Sequence, residues 1–422
     1  MAVTSLAAPT GARRLLALAV AVALLLAANA AVVVLDRRDG QLAAGPGPGG
    51  GEPVPAAPLA SEPPTTVAPP PTTTAAPAPA TALERRVAEL SAFVADAREL
   101  DFLRPVPVQL LDDEAFVERL LRDVEENRED TDQIEKVLRA MQLIEPGVDL
   151  FESYLAYYGN AVLGFYDPET DELVLRGVEL NPYVEVTLVH ELTHALEDQH
   201  FELDRPDIFE ADDERALGFS SLIEGVALTV ESAYRATLSD GEREAADREA
   251  AAFSRRAGAS PIPAIITSLS QFPYLAGPFF VAALLEEGAE DRVNAAYADP
   301  PATSEQILDP GIYLRGEQPV AVPPPPAGGA VINEGSFGEW AVDLTLRRHL
   351  DSITAGTASD GWGGDSYVAW DEGERTCVRL AFAMDTPADL GQLDGAWRQW
   401  ARAHGDATVE TTTDLVTVTA CG

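Results

Sequence analysis

Residues 41–82 decide which part of this chain can fold. They are mostly Gly, Pro, Ala and Thr with hardly a large apolar side chain, and they hold 12 of the 32 prolines. Such a segment buries too little surface to offset its ordering entropy, which predicts an extended, polyproline-biased spacer. Folding is therefore confined to the sequence after it, where a composition that is 46% hydrophobic overall supports one large domain or two ordinary ones. The patterning predicts an α+β protein. A mostly helical domain over 83–325 carries a small β-hairpin beside its central helix, and an α/β subdomain over 330–422 packs on it.

Ahead of the spacer, in residues 1–40, Arg13 and Arg14 precede an uncharged run from Leu15 to Leu35 whose only strongly polar member is Asn29. A run of this length crosses a hydrocarbon core of about 30 Å. Asp36-Arg37-Arg38-Asp39 sums to zero, so the positive side is N-terminal and the remainder should lie outside the cytoplasm. Ala28-Asn29-Ala30 has the small-x-small form of a signal-peptide cleavage site, while the apolar residues beyond Ala30 favour an uncleaved, single-pass anchor. Both readings export the chain. The balance of 29 basic against 69 acidic side chains, a net charge of −40, excludes nucleic acid as a natural partner. Arginine outnumbers lysine 28 to 1, Lys136 being the only lysine. Two cysteines exclude a disulfide-rich scaffold and a four-cysteine zinc site. Cys377 and Cys421 both fall in expected strands, and outside the cytoplasm a disulfide between them is predicted.

Globular patterning begins near Leu83 with a helical stripe of Leu83, Val87, Leu90, Val94 and Ala97, and continues through Phe116–Val124 and Ile134–Leu143. Ala161–Tyr166 and Glu172–Arg176 then read as strands of a hairpin turning at Asp167–Asp171. Asn181-Pro182 supplies the N-cap and first residue of a following helix. That helix carries His190-Glu191-Leu192-Thr193-His194. Histidines four apart stand one above the other on a helix and can grip one metal ion. Glu191 lies about 100° round the helix from His190, placed to accept a proton from a water activated by the metal. Three of the chain's five histidines, His190, His194 and His200, fall within this stretch.

A catalytic zinc site takes three protein ligands and leaves one position open. His200 has the spacing of the metzincin pattern HExxHxxGxxH, but Glu197 stands where that pattern needs glycine to end the helix. On an unbroken helix His200 points about 120° away from His194 and about 9 Å further along. Glu224 is the better third ligand. It sits within the apolar stretch Ser220–Ala227, where an unpaired carboxylate would be costly, and Gly225 and Ala227 would let its helix pack close to the histidine helix. Asp198 and Glu231 are expected as hydrogen-bond partners of the ligating imidazoles.

The HELTHA sequence followed by Asp198 resembles the helix of thermolysin-type peptidases, and an HExxH helix with a later helical glutamate resembles the gluzincin clan. From Gly164 to about Asp389 the chain resembles a group of largely uncharacterised exported bacterial zinc metallopeptidases. The shared blocks are His190–Phe201, Ile223–Ala227, Phe272-Pro273-Tyr274, Pro300–Leu308 and Gly361–Tyr367. Asp309 departs from the leucine-His-Pro step of that group. The resemblance implies a zinc-dependent peptidase acting on a peptide or protein substrate, with His190, His194 and Glu224 as zinc ligands and Glu191 as general base. It also implies an edge strand that pairs with extended substrate, either Glu172–Arg176 or Ala161–Tyr166. Tyr158, Tyr234, Tyr313 and His349 are all candidates for stabilising the oxyanion. The rival readings are a metzincin-like protease using His200 and a non-catalytic extracellular binding protein with a vestigial site.

Two further expectations concern the remainder. Pro261, Pro263, Pro273 and Pro278 break the apolar run Ile262–Leu285 into a buried loop and helix. The tail reads as helix Ser336–Leu350, strands Tyr367–Trp370 and Thr376–Ala383, helix Pro387–His404 and a final strand pair.

Overall fold

The computed structural model describes residues 81–122, 128–209, 213–257 and 262–422, so the expected anchor or signal peptide and nearly all of the spacer lie outside the described residues. The first element is helix α1 (Ala82–Arg98), opened by a reciprocal capping box between Thr81 and Glu84. Its buried residues Leu90, Val94 and Arg98 dock it on the helix that carries the histidines. Strand β1 (Val108–Leu111) and helices α2 (Asp113–Leu120), α3 (Arg128–Ala140) and α4 (Leu150–Ala161) follow. Then come β2 (Gly164–Asp167) and β3 (Glu172–Arg176), an antiparallel hairpin as the sequence predicts. Strand β1 pairs in parallel with β3, with Val108 opposite Leu173, so the sheet order is β1-β3-β2. The Glu172–Arg176 strand is therefore bonded on both sides and has no free edge. Of the two expected edge strands only the one at Gly164–Asp167 keeps that position.

Asn181 caps α5 (Pro182–Phe201) by accepting from Val184 N at 2.9 Å, with Pro182 at the first turn. Every residue from Val186 to Glu197 is buried, because α5 runs between the small sheet and a wall of helices. After the short α6 (Pro206–Phe209) the wall is built by α7 (Asp213–Thr237), α8 (Asp240–Ala257) and α9 (Ala264–Ala298). Helix α9 corrects the expected loop and helix: Pro273 and Pro278 lie inside one helical run, whose backbone departs from helical values only at Gly288 and Ala289. By length and composition alone, α7 and α9 could each cross a membrane; in the fold, 83% and 50% of their apolar windows are buried against other elements.

Thr303 caps α10 (Ser304–Leu308) through Gln306 N at 3.1 Å, and α11 (Pro310–Leu314) starts one residue later. The Gln306 side chain takes Ala302 N instead of the cap's own N–H, so only half of a capping box forms. The tail adds β4 (Val331–Gly335), α12 (Gly338–Arg347), α13 (Ser352–Ser359), β5 (Trp362–Glu372), β6 (Arg375–Met384), α14 (Pro387–His404), β7 (Ala407–Thr411) and β8 (Val416–Cys421). Its strands form an antiparallel sheet of order β4-β5-β6-β8-β7 under α14, with Trp397, Trp400 and Phe382 at the centre. Cys377 and Cys421 stand opposite each other in the β6–β8 register and form the expected disulfide. Val137 and Ala140 of α3 and Met141 just after it complete this core, so the two halves of the chain share packed side chains.

Candidate metal centre

Helix geometry puts the two histidines of α5 one turn apart, with ring centroids 4.7 Å apart and planes at 82°. Helix α7 brings Glu224 onto the same point. Its Oε2 lies 3.1 Å from His190 Nε2 and 3.7 Å from His194 Nε2. Ligands held at about 2.0–2.1 Å in a tetrahedron stand about 3.3 Å from one another, so this spacing matches a zinc-sized ion. All three side chains are buried, His194 being the least so at 3% exposed. Both ring nitrogens of His194 are buried without a hydrogen-bond partner, although one faces the Glu224 carboxylate. Buried polar atoms are rarely left unpaired, and a cation among the three donors would supply the missing partner. The donor set therefore fits a metal ion.

The surrounding residues orient these donors. Glu231, two turns beyond Glu224 on α7, places Oε2 3.2 Å from His190 Nδ1, as expected for an imidazole partner. Tyr274 of α9 donates to Glu224 Oε1 at 2.8 Å, which leaves Oε2 alone to face the imidazoles. Glu191 Oε2 accepts from Tyr166 N of strand β2 at 3.0 Å, and its Oε1 is buried with no partner. Burial pushes the Glu191 carboxyl up to about 8, against the pull of His190. Burial likewise raises Glu224 and drives His194 well down. Burial also disfavours charge on His190, but the carboxylates of Glu224 and Glu231 outweigh it and lift that imidazole to about 10. The Tyr274 hydroxyl is raised well above its usual range by burial and by Glu224, so it stays a donor.

Not every expected residue arrives. Asp198 meets neither imidazole: its Oδ2 accepts from Tyr166 OH at 2.8 Å and its Oδ1 from Leu203 N at 2.9 Å, which ties off the C-terminus of α5. His200 stays on an unbroken helix and donates through Nε2 to Asp101 O at 2.8 Å, away from the other donors. Glu197, at the metzincin glycine position, is buried 3.4 Å from Arg98. Tyr234 bonds Glu185, Tyr313 bonds the Asp299 carbonyl, His349 lies against Trp400, and Tyr158 stacks on Tyr154. None of these four is bonded to His190, His194 or Glu224. Tyr274 was the residue missing from the candidates, and its only signal was its place in the Phe272-Pro273-Tyr274 block.

Gly225 has a different neighbour from the one expected. A Cβ there would lie 2.5 Å from the carbonyl of Gly277, and one on Gly277 would lie 2.2 Å from Ser221 O. The glycine pair thus lets α9, not α5, close on α7. Tyr274 sits one turn before Gly277 and Glu224 one residue before Gly225, so this crossing sets their hydrogen bond.

A protein-family model described as "Domain of unknown function (DUF8575)" matches residues 328–420, the span from β4 to β8. No curated protein and no solved structure matches the chain.

Proposed function

We propose that this chain is an exported, zinc-dependent peptidase of the HExxH type, with His190, His194 and Glu224 holding the metal and Glu191 acting as general base. The observation that carries this reading is the meeting of Glu224 with two imidazoles, one of which has both nitrogens buried and unpartnered. Zinc held by two neutral histidines and one carboxylate supplies Lewis acidity. The chain supplies the proton chemistry. Glu191 is anchored through Oε2 by Tyr166 N and keeps Oε1 free of protein partners. A carboxylate so placed takes a proton from the attacking water and returns it to the leaving amine. Strand β2, whose Tyr166 N holds Glu191, is also an outer strand of its sheet, the position that pairing with an extended peptide uses.

Export follows from Leu15–Leu35, with the chain held at the membrane by a single pass or released after Ala30. The net charge of −40 speaks against nucleic acid as a partner. Glu191→Gln should bind zinc normally and hydrolyse an unstructured protein substrate about 10²–10⁴-fold more slowly. An unchanged rate in that variant would remove Glu191 as the base.

A further inference from the structure

Asp198, Gln199 and His200 close the histidine helix, and all three side chains bond away from the metal centre. Gln199 Oε1 accepts from Leu103 N at 2.8 Å and from Arg104 N at 3.0 Å, and its Nε2 donates to Arg104 O at 3.0 Å. His200 Nε2 donates to Asp101 O at 2.8 Å. The segment 101–104 is thereby laid against the end of α5, where Arg104 pairs with Asp171 of the hairpin turn and lies 3.8 Å from Asp198. Arg104 and Asp171 are about half exposed, so this pair adds little energy by itself. The buried member is Tyr166, 4% exposed. Its hydroxyl donates to Asp198 Oδ2 at 2.8 Å, with Asp171 Oδ1 3.1 Å away.

The backbone of the same residue holds Glu191. Arg176 N donates to Leu163 O at 2.7 Å, which makes Leu163, and with it Phe165 and Asp167, the residues that bond toward β3. Gly164 and Tyr166 therefore turn their N–H and C=O groups away from β3. Facing outward, Tyr166 N meets Glu191 Oε2 at 3.0 Å. Gly164 allows this close approach: a Cβ on it would lie 3.0 Å from Thr187 Cγ2, and Thr187 stands one turn before Glu191 on α5.

Glu191 and Asp198, seven residues apart on α5, face the same side about 10 Å from each other. Tyr166 bridges them, with its N–H on one carboxylate and its phenol on the other. One strand residue is thus fixed to the helix at two points. The phenol is engaged by carboxylates at the far end of the helix, so its effect on any reaction passes through Glu191. A reacting group misplaced by about 1 Å can lose about 100-fold in rate.

We infer that Tyr166 is a positioning residue: its hydroxyl, held by Asp198, locks strand β2 and so sets the N–H that fixes the Glu191 carboxylate. The catalytic consequence rests on the peptidase reading; the positioning itself does not. The first test follows the Tyr166 amide by NMR in the full-length chain in detergent, isotopically labelled at the nitrogens of its ten tyrosines. Tyr166→Phe identifies the signal by its disappearance. Glu191→Gln should move it upfield, and Asp198→Ala, which leaves Glu191 intact, should move it in the same direction. Asp198→Asn should hold it near the wild-type position, because its amide can donate to the phenol oxygen while its Oδ1 still accepts from Leu203 N. If Asp198→Ala melts early, Tyr166→Phe labelled at phenylalanine replaces it, and the amide at position 166 should no longer respond to Glu191→Gln. The second test is hydrolysis of fluorescein-labelled casein. Tyr166→Phe should lower kcat by about tenfold, change KM by less than about twofold and leave zinc affinity unchanged. Tyr313→Phe, which removes a hydroxyl bonded to the Asp299 carbonyl, should change none of these. An amide unmoved by Glu191→Gln or by Asp198→Ala would overturn the proposal. So would an unchanged kcat, or a loss carried by KM, in Tyr166→Phe beside an active wild type. An inactive wild type would count against the peptidase reading instead, and the amide shifts would still decide the positioning.

Discussion

Glu224 divides its two oxygens, one toward the imidazoles and one toward the Tyr274 hydroxyl, and this division determines how well it can serve a cation. Removing the hydroxyl frees the carboxylate to rotate and leaves Oε1 buried without a donor. Tyr274→Phe should therefore weaken zinc binding by about 10–100-fold in a chelator competition, the range typical of residues that orient ligands. Unchanged affinity would mean that the bond is incidental. His190, Glu191, His194 and Glu224 were legible in the sequence because helical spacing fixes where i and i+4 point and because a carboxylate in an apolar stretch needs a reason to be there. Tyr274 was not, since a tyrosine in an apolar helix looks the same whether its hydroxyl bonds a ligand or nothing. Asp198 misled for the converse reason. Its i+4 offset from His194 also suits an aspartate that caps the end of the helix, and Leu203 N takes it.

At the level of elements, the α7–α9 crossing does more for the site than the two helices could do separately. Both glycines at the crossing touch opposing backbone, so an added methyl has nowhere to go. Gly225→Ala should cost about 1–3 kcal/mol, as overpacking does, and should also lower zinc affinity by moving Tyr274 away from Glu224. Thermal melts with a zinc titration check both; a destabilised variant with normal zinc affinity would separate the crossing from the site. The continuity of α9 was hidden because Pro273 and Pro278 read as breaks, whereas buried Phe272, Tyr274, Phe280, Val281 and Leu284 pay for the missing hydrogen bonds. Strand β1 was hidden for another reason. Its four residues have no alternation, and only pairing with β3 makes them a strand. That pairing takes the edge from β3 and leaves it to β2 among the two hairpin strands.

Across the whole molecule, the helical half and the β4–β8 subdomain are joined by shared core rather than by a loose contact. Residues of α3 fill the core under the larger sheet, and Gly338, at φ +74, leaves no room for a side chain against Glu214 of α7. The α+β composition and the strand-helix-strand order of the tail could be read from periodicity, but this mutual packing could not, because it depends on contacts far apart in sequence. The architecture places Glu224 on a helix that is fixed at its start by the tail and at its middle by α9. Metal analysis of the purified full-length chain reads out directly what that arrangement holds. The wild type should carry about one zinc per chain, Glu224→Ala should lose it, and His200→Ala should keep it, each with an unchanged circular dichroism spectrum. A wild type without zinc, or zinc lost with His200 and kept without Glu224, would contradict the account.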